Sequence, residues 1–275
     1  MSTLPLAPID LDTPYDLTEQ HRAQFERDGY IKLKAVFTEE ELEQFRSETT
    51  QQVLKRSTHV KPLEERTLYS KAFLQVTNLW EHSDRVKAFV FNKRLARIAT
   101  ELLGTQGVRL YHDQALYKEA GGGYTPWHAD QVYWPLATDR TVTAWVPFHP
   151  VPLANGPLSF AQGSHRLTEG RDLTISAESE AAIGEKMKLG DYPVDESPYD
   201  LGEISFHLGY LFHRAGPNQL PQPREVMTVI YMDSEMRMGE PKNEAQEKDG
   251  ARWCPGVKVG ERIDSPKNPV LYHHV

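Results

Sequence analysis

The stretch "GGGYTPWHADQVYWPL" (121–136) sets His128 and Asp130 two apart among aromatic residues, with glycine and proline on either side. An imidazole and a carboxylate so spaced serve either as loop polarity or as two ligands of one metal ion. Side chains two apart on an extended strand project to the same face, so both could reach a single ion from a strand end. The third ligand must then come from a distant strand that meets the first in space. "LGYLFHRAGPN" offers His213, at the end of an apolar strand and just before a Gly-Pro turn. Two histidines and one carboxylate make the facial set that suits non-haem Fe(II), with coordination positions left open for a co-substrate and O2.

Each piece has an ordinary alternative. An isolated His-x-Asp is common by chance, and His213 alone reads as a structural histidine. Arg224 alters the balance. It follows the turn "AGPNQLPQPR" and opens the strand "EVMTVIY". If the strands of His213 and Arg224 are antiparallel neighbours, the guanidinium returns beside the metal end of the barrel. There its planar fork suits the far carboxylate of a dicarboxylate whose other end chelates iron, which is the shape of 2-oxoglutarate. Without the triad, Arg224 reads as a surface cation on an edge strand. Of the other histidines, His21, His59 and His82 sit in polar stretches and His273 and His274 close the chain. His112, His149, His165 and His207 read as structural.

These residues need a rigid frame, and the chain supplies helices first and strands afterwards. Residues 1–16 form an extended, proline-containing leader. Thr18 caps a helix that runs to Asp28 and stops at Gly29. "YIKLKAV" alternates, with Ile31, Leu33 and Ala35 on one face against Lys32 and Lys34. Thr38 and Glu41 form a capping box for a helix burying Leu42, Phe45 and Val53. Residues 57–83 carry no clear pattern. A single helix is expected from Asp84 to Leu103, with Gly104 as its stop. Short β-type runs follow ("VRLYHDQALYKE", "TVTAWVPFHPV", "PLSFAQGSH", "GEISFHLGYLFHRAG", "EVMTVIYMDS"), separated by Gly, Pro and Asn turns. Many short strands at that spacing imply a sandwich or barrel. An acidic insertion, about 166–200, reads as a helix and loop over the surface. Residues 17–275 are therefore expected to be one α+β domain with a mainly β core.

Composition narrows the function. With 39 acidic against 31 basic residues the net charge is −8, and no Lys/Arg cluster offers the counterion release that nucleic-acid binding needs. One cysteine, Cys254, excludes an internal disulfide and suits a reducing compartment. The amino terminus lacks the pattern of a signal peptide, and no apolar run approaches ~18 residues. A cytoplasmic enzyme acting on a small molecule, away from nucleic acid and membrane, is the expectation; oligomeric state is not legible.

Over nearly its whole length the chain resembles the phytanoyl-CoA dioxygenase family of Fe(II)/2-oxoglutarate oxygenases. "FERDGYIKLKAVFTEEELEQFR" (25–46) resembles the family's N-terminal signature, and "WHAD" supplies its His-x-Asp. "TAWVPFHPVPLANGPLSFAQGSH" (143–165) is similar to its core strand pair. "HRAGPN" with Asn218 and then Arg224 matches the distal histidine, asparagine and arginine, and "WCPGVKVGERIDSPKNPVLY" resembles its C-terminal segment. The resemblance implies a double-stranded β-helix (jelly-roll, cupin-like) flanked by N-terminal helices. It implies iron held by His128, Asp130 and His213, and 2-oxoglutarate held by Arg224 with help from Lys71. Gln114 and Trp145 fall on strands that would line the same cavity, with Thr143 and Lys118 as weaker candidates. Relatives often carry serine where Ala215 stands. Aromatics at Tyr124, Trp127, Tyr133 and Trp134 would form an apolar rim. The implied reaction is hydroxylation of an unactivated C–H, with O2 consumed and succinate and CO2 as co-products. A halogenase on the same fold needs the carboxylate ligand replaced by a small residue, against which Asp130 speaks. A metal-binding cupin-like module without oxygenase activity has no use for Arg224.

Overall fold

The computed structural model describes residues 10–57 and 61–274; the first nine residues of the leader, His59 and Val275 lie outside them. Thr18 caps α1 (Glu19–Asp28), which ends on Gly29 at φ 80°, a left-handed position that glycine adopts without strain. In β1 (Tyr30–Leu33) Ile31 and Leu33 are buried, as the alternation requires. The alternation stops before Ala35, which is exposed and left-handed at φ 52°. The chain turns there because the Val36 N–H donates to the Gly202 carbonyl at 2.9 Å. The capping box of Thr38 and Glu41 opens α2 (Glu39–Arg56), which buries Leu42, Phe45 and Val53.

The patternless span contains α3 (Leu68–Ala72) and β2 (Leu74–Thr77). The helix expected over 84–103 is two, α4 (Asp84–Val90) and α5 (Lys93–Leu103). Asn92 takes extended backbone between them and accepts the Leu95 N–H at 2.8 Å. An asparagine cap inside an apolar period starts a new helix at a new angle.

The strands that follow are β3 (Gly107–Tyr117), β4 (Thr125–His128), β5 (Thr141–Pro147) and β6 (Leu158–Ala161). After α6 (Ala177–Leu189) come β7 (Val194–Asp195), β8 (Ile204–Leu208), β9 (His213–Ala215) and β10 (Val226–Asp233). Helix α7 (Glu244–Trp253) and β11 (Val270–His273) complete the chain. They build two antiparallel sheets. The larger runs β1-β8-β5-β10-β3-β11, with β2 also on β3, and the smaller runs β4-β9-β6-β7. This is a cupin-like double-sheet jelly roll. Its larger sheet is backed by the N-terminal helices, where Leu95, Ile98 and Ala99 share one core with Val108, Val142 and Val229. Its inner face meets the smaller sheet through Trp145, Leu158, Phe160, Ala215 and Val226.

Three expectations about connectivity change. The run "GEISFHLGYLFHRAG" is two strands in different sheets, β8 and β9, so His213 begins a strand rather than ending one. Gly209 marks the crossing: a Cβ there would lie 2.3 Å from Thr141 Oγ1. The strands near His213 and Arg224 are not neighbours, since β9 and β10 belong to opposite sheets. The insertion is also more than a surface loop. Helix α6 buries Ile183 and Met187 against Trp127 and Phe212, and β7 extends the smaller sheet.

Candidate active site

The smaller sheet brings two histidines together. β4 and β9 pair so that His128 and His213 stand directly opposite, with ring centroids 4.2 Å apart. His128 Nδ1 lies 2.7 Å from the Pro126 carbonyl and His213 Nδ1 lies 3.0 Å from the Leu211 carbonyl. A carbonyl only accepts, so both Nδ1 atoms carry a proton and both Nε2 atoms are turned toward one place. Extended Ala129 then delivers Asp130 into a 3-10 turn, Asp130–Tyr133. Asp130 Oδ1 sits 3.5 Å from His128 Nε2 and 3.7 Å from His213 Nε2. One ligand atom from each of the three residues lies within 4.8 Å of the others. Burial opposes charge on Asp130, but His213, His128 and His207 beside it hold its carboxyl well below the usual range. Burial and the neighbouring His128 hold His213 well below its ordinary value, as the neutral imidazole a metal requires.

The larger sheet steadies that carboxylate from behind. β5 and β8 place Thr143 opposite His207. Thr143 Oγ1 donates to Asp130 Oδ2 at 3.3 Å, and His207 Nε2 lies 3.3 Å from the same oxygen. Asp130 Oδ2 is thus occupied while Oδ1 faces the imidazoles. His207, read from sequence as structural, stands directly against a candidate ligand. The signal was present: Ser205 and His207 alternate with Ile204, Phe206 and Leu208, which puts polar side chains on the inner face.

A second corner lies across the cavity. Arg224 precedes β10 and forms a bridge with Lys118, each backbone N–H donating to the other's carbonyl at 2.9 and 2.8 Å. Arg224 is 1% exposed. Its Nη1 donates to the Gly156 carbonyl, and among the described residues its Nε has no partner. Burial lowers it to about 10. Its guanidinium carbon lies 5.3 Å from the Trp145 ring centre, and the Trp145 indole N–H is likewise without a partner among the described residues. Asn218 braces this corner, donating to the Lys118, Glu119 and Gln222 carbonyls and accepting from Asn155 at 2.7 Å. Gly156, at φ 69°, has no room for a Cβ, which would stand 2.2 Å from the Gly216 carbonyl oxygen.

Both corners open into one cavity of about 280 Å3. Gln114 and Trp145 line it, meeting Thr228 of β10 from either side. So do Thr143, Ala215, Tyr133 and Trp134. Lys71, at the end of α3, is half-buried and is not on the cavity wall; its carbonyl accepts the Gly123 N–H at 2.8 Å. The expected aromatic rim is half realised, because Trp127 packs outward against α6 and Tyr124 is exposed. Instead α7 supplies Asp249, Arg252 and Trp253. Trp253 stacks on His112 at 4.7 Å, and burial pushes His112 down to about 4. Asp249, raised to about 7 by burial, accepts from the Tyr111 hydroxyl and from Trp253 Nε1 at 3.0 Å. No local pattern in the sequence ties residues 244–253 to this cavity.

With this geometry in view, the comparisons with known proteins are specific. The family described as phytanoyl-CoA dioxygenase matches residues 25–226. The chain belongs to the phytanoyl-CoA dioxygenase family. It is therefore an enzyme of the iron- and 2-oxoglutarate-dependent dioxygenase class. A curated relative, a probable alpha-ketoglutarate-dependent hypophosphite dioxygenase of Stutzerimonas stutzeri, is 21% identical over 227 residues, covering 78% of this chain and 77% of that one. Among solved structures, the epimerase SnoN in complex with Fe3+, alpha ketoglutarate and nogalamycin RO is similar, with a TM-score of 0.76 and 23% identity over 92% of this chain and 98% of its own. EctD from S. alaskensis, solved with 2-oxoglutarate and 5-hydroxyectoine, has a TM-score of 0.67 and 19% identity over 94% of this chain and 90% of its own. At these identities the structural likeness establishes the fold. Among the described residues no helix is long and apolar enough to cross a membrane.

Proposed function

We propose that residues 17–275 form one catalytic domain that hydroxylates an unactivated C–H of a small-molecule metabolite. In this reading Fe(II) is held by His128, Asp130 and His213, and the far carboxylate of 2-oxoglutarate by Arg224. The observation that carries it is the pairing of the two corners in one cavity. Two imidazole nitrogens and one carboxylate oxygen suit iron with positions left open better than a closed structural zinc site. A buried guanidinium with no acid beside it fits a carboxylate brought by a ligand. The bound iron and co-substrate supply the oxidising chemistry, with O2 consumed and succinate and CO2 released.

The protein's own residues bind, orient and exclude. Thr143 and His207 hold Asp130 Oδ2, so a single carboxylate oxygen is left for the metal. The carbonyls of Pro126 and Leu211 fix which imidazole nitrogens are free. Gln114 and Trp145 offer polar atoms along the co-substrate's path, while Phe73, Tyr133, Trp134 and Trp253 close the cavity against water. The substrate's reacting carbon must then approach from the α7 side, where the cavity is not committed to the co-substrate.

Succinate formation from 2-oxoglutarate by the iron-loaded protein, with candidate small molecules screened for stimulation, tests this reading. Product analysis is part of the test, because the similar folds include an epimerase and a carbocyclase. Metal binding without any turnover of 2-oxoglutarate would leave a plain metal-binding module. A product that is epimerised or cyclised, and not hydroxylated, would overturn the hydroxylase reading while keeping the oxygenase.

A further inference from the structure

Among the described residues, Lys118 is the most enclosed cation that the mechanism above leaves unused. It is 0% exposed. Along β3 and its extension, His112, Gln114 and Leu116 line the cavity, and the two-residue period puts Lys118 on that same inner face. Its antiparallel bridge to Arg224 makes the two side chains direct neighbours, an arrangement that is unfavourable for like charges. An ammonium carries three donors, yet among the described residues Gly123 O is the one acceptor that Lys118 Nζ reaches, at 2.5 Å.

The nearby acids are committed elsewhere. Glu119 and Glu225, one residue on from Lys118 and Arg224, alternate to the other face. There Glu119 pairs with Arg66, and Glu225 with Arg46 at 2.5 Å. Tyr199 faces the guanidinium but is a buried phenol raised far above its usual value and remains neutral. Lys71 approaches through the loop at Gly123 and adds no negative charge. Two buried basic groups therefore stand side by side with no counter-charge from the described residues.

We propose that Lys118 is a charge-balancing partner of Arg224, taking up a proton when the far carboxylate of 2-oxoglutarate enters this corner. The inference rests on the co-substrate reading above. Burial first, and Arg224 second, lower the lysine to about 6, so near pH 7.5 the empty corner carries the guanidinium charge and a neutral amine. A carboxylate arriving beside Arg224 restores the charged form: the amine lone pair takes one proton from solvent and becomes an ammonium. Lys118 acts through Arg224 and the carboxylate, and makes no contact with the reacting atoms.

The experiment is calorimetric titration of 2-oxoglutarate into anaerobic, Fe(II)-loaded protein in buffers of different ionisation enthalpy. Uptake approaching one proton per site is expected near pH 7.5, with affinity falling roughly tenfold per pH unit above neutrality, since one bound proton gives one decade per unit. Lys118→Met should bind 2-oxoglutarate without that uptake and with a flattened pH dependence. Pyruvate, which keeps the chelating end and lacks the far carboxylate, should bind wild type without it. Absence of uptake in wild type overturns the proposal, whether or not the variant folds. Equal uptake by the variant, or equal uptake with pyruvate, overturns it by locating the proton elsewhere. Both of those outcomes leave the co-substrate reading intact, whereas wild-type protein that binds no 2-oxoglutarate would overturn the two together.

Discussion

The proposed metal corner and the proposed co-substrate corner face each other across one cavity, yet their polar groups are treated oppositely. Around His128, Asp130 and His213 nearly every polar atom has a protein partner, and what remains free is the set of lone pairs aimed at one point. Around Arg224, a guanidinium Nε and an indole N–H have no partner, and a second basic group has no acid beside it, among the described residues. The first corner is organised before anything binds. The second holds buried basic charge with no counter-charge among the described residues, which is costly and which an anionic ligand would offset. Under the proposed function, a site built this way separates two tasks: fixed geometry for a metal, and affinity for a co-substrate drawn from charge that the described residues do not neutralise.

The largest effect should come from breaking the organised corner. Asp130→Ala or His213→Ala removes a ligand atom and should reduce succinate formation to background. An anaerobic Fe(II) titration of each variant, followed by the visible band that 2-oxoglutarate produces on the metal, checks it. A band of wild-type intensity in either variant would remove that residue from the metal site.

Next in size is the incomplete corner. Arg224→Ala should weaken 2-oxoglutarate binding by about 2–5 kcal/mol, the range for truncating one partner of a buried charge pair. At about 1.4 kcal/mol per decade this is roughly one and a half to three and a half decades. Arg224→Lys should restore part of it, because an ammonium lacks the two-pronged contact. Metal affinity should stay as in wild type in both, which is the signature of two separable corners. A dissociation constant for Arg224→Ala within about threefold of wild type would erase the contrast.

His207→Phe tests how far the organisation of the metal corner depends on its support. Removing the group that steadies Asp130 Oδ2 should lower metal affinity by about 10–100-fold, as for other outer partners of metal ligands, with 2-oxoglutarate affinity at saturating metal nearly unchanged. Metal affinity equal to wild type would mean that Thr143 alone suffices.

The smallest effect is a gain. Ala215 lines the cavity beside Trp145 and Leu158. Ala215→Ser adds one hydroxyl to that wall. A single net hydrogen bond of about 0.5–1.5 kcal/mol predicts 2-oxoglutarate binding that is tighter by roughly two- to twelvefold. Unchanged or weaker binding would show that the hydroxyl does not face the co-substrate.

Much of this molecule was legible before folding. Local rules gave the helix caps at Thr18 and Thr38, the stops at Gly29 and Gly104, and the β-rich body. They depend on neighbours within a few residues, which the sequence displays directly. The spacing of His128 and Asp130, and the types of His213 and Arg224, pointed to the chemistry for the same reason: ligand sets and charge are properties of side chains. What only the tertiary structure decided was which segments meet. That "GEISFHLGYLFHRAG" divides between two sheets, that Arg224 faces Lys118 across a bridge, that Lys71 sits off the cavity wall and that α7 closes the cavity all follow from strand pairing between residues far apart in the chain. The positions of His207 and Lys118 were hidden for the same reason. His207 reaches Asp130, and Lys118 stands buried beside Arg224, only once the sheets that surround them have closed.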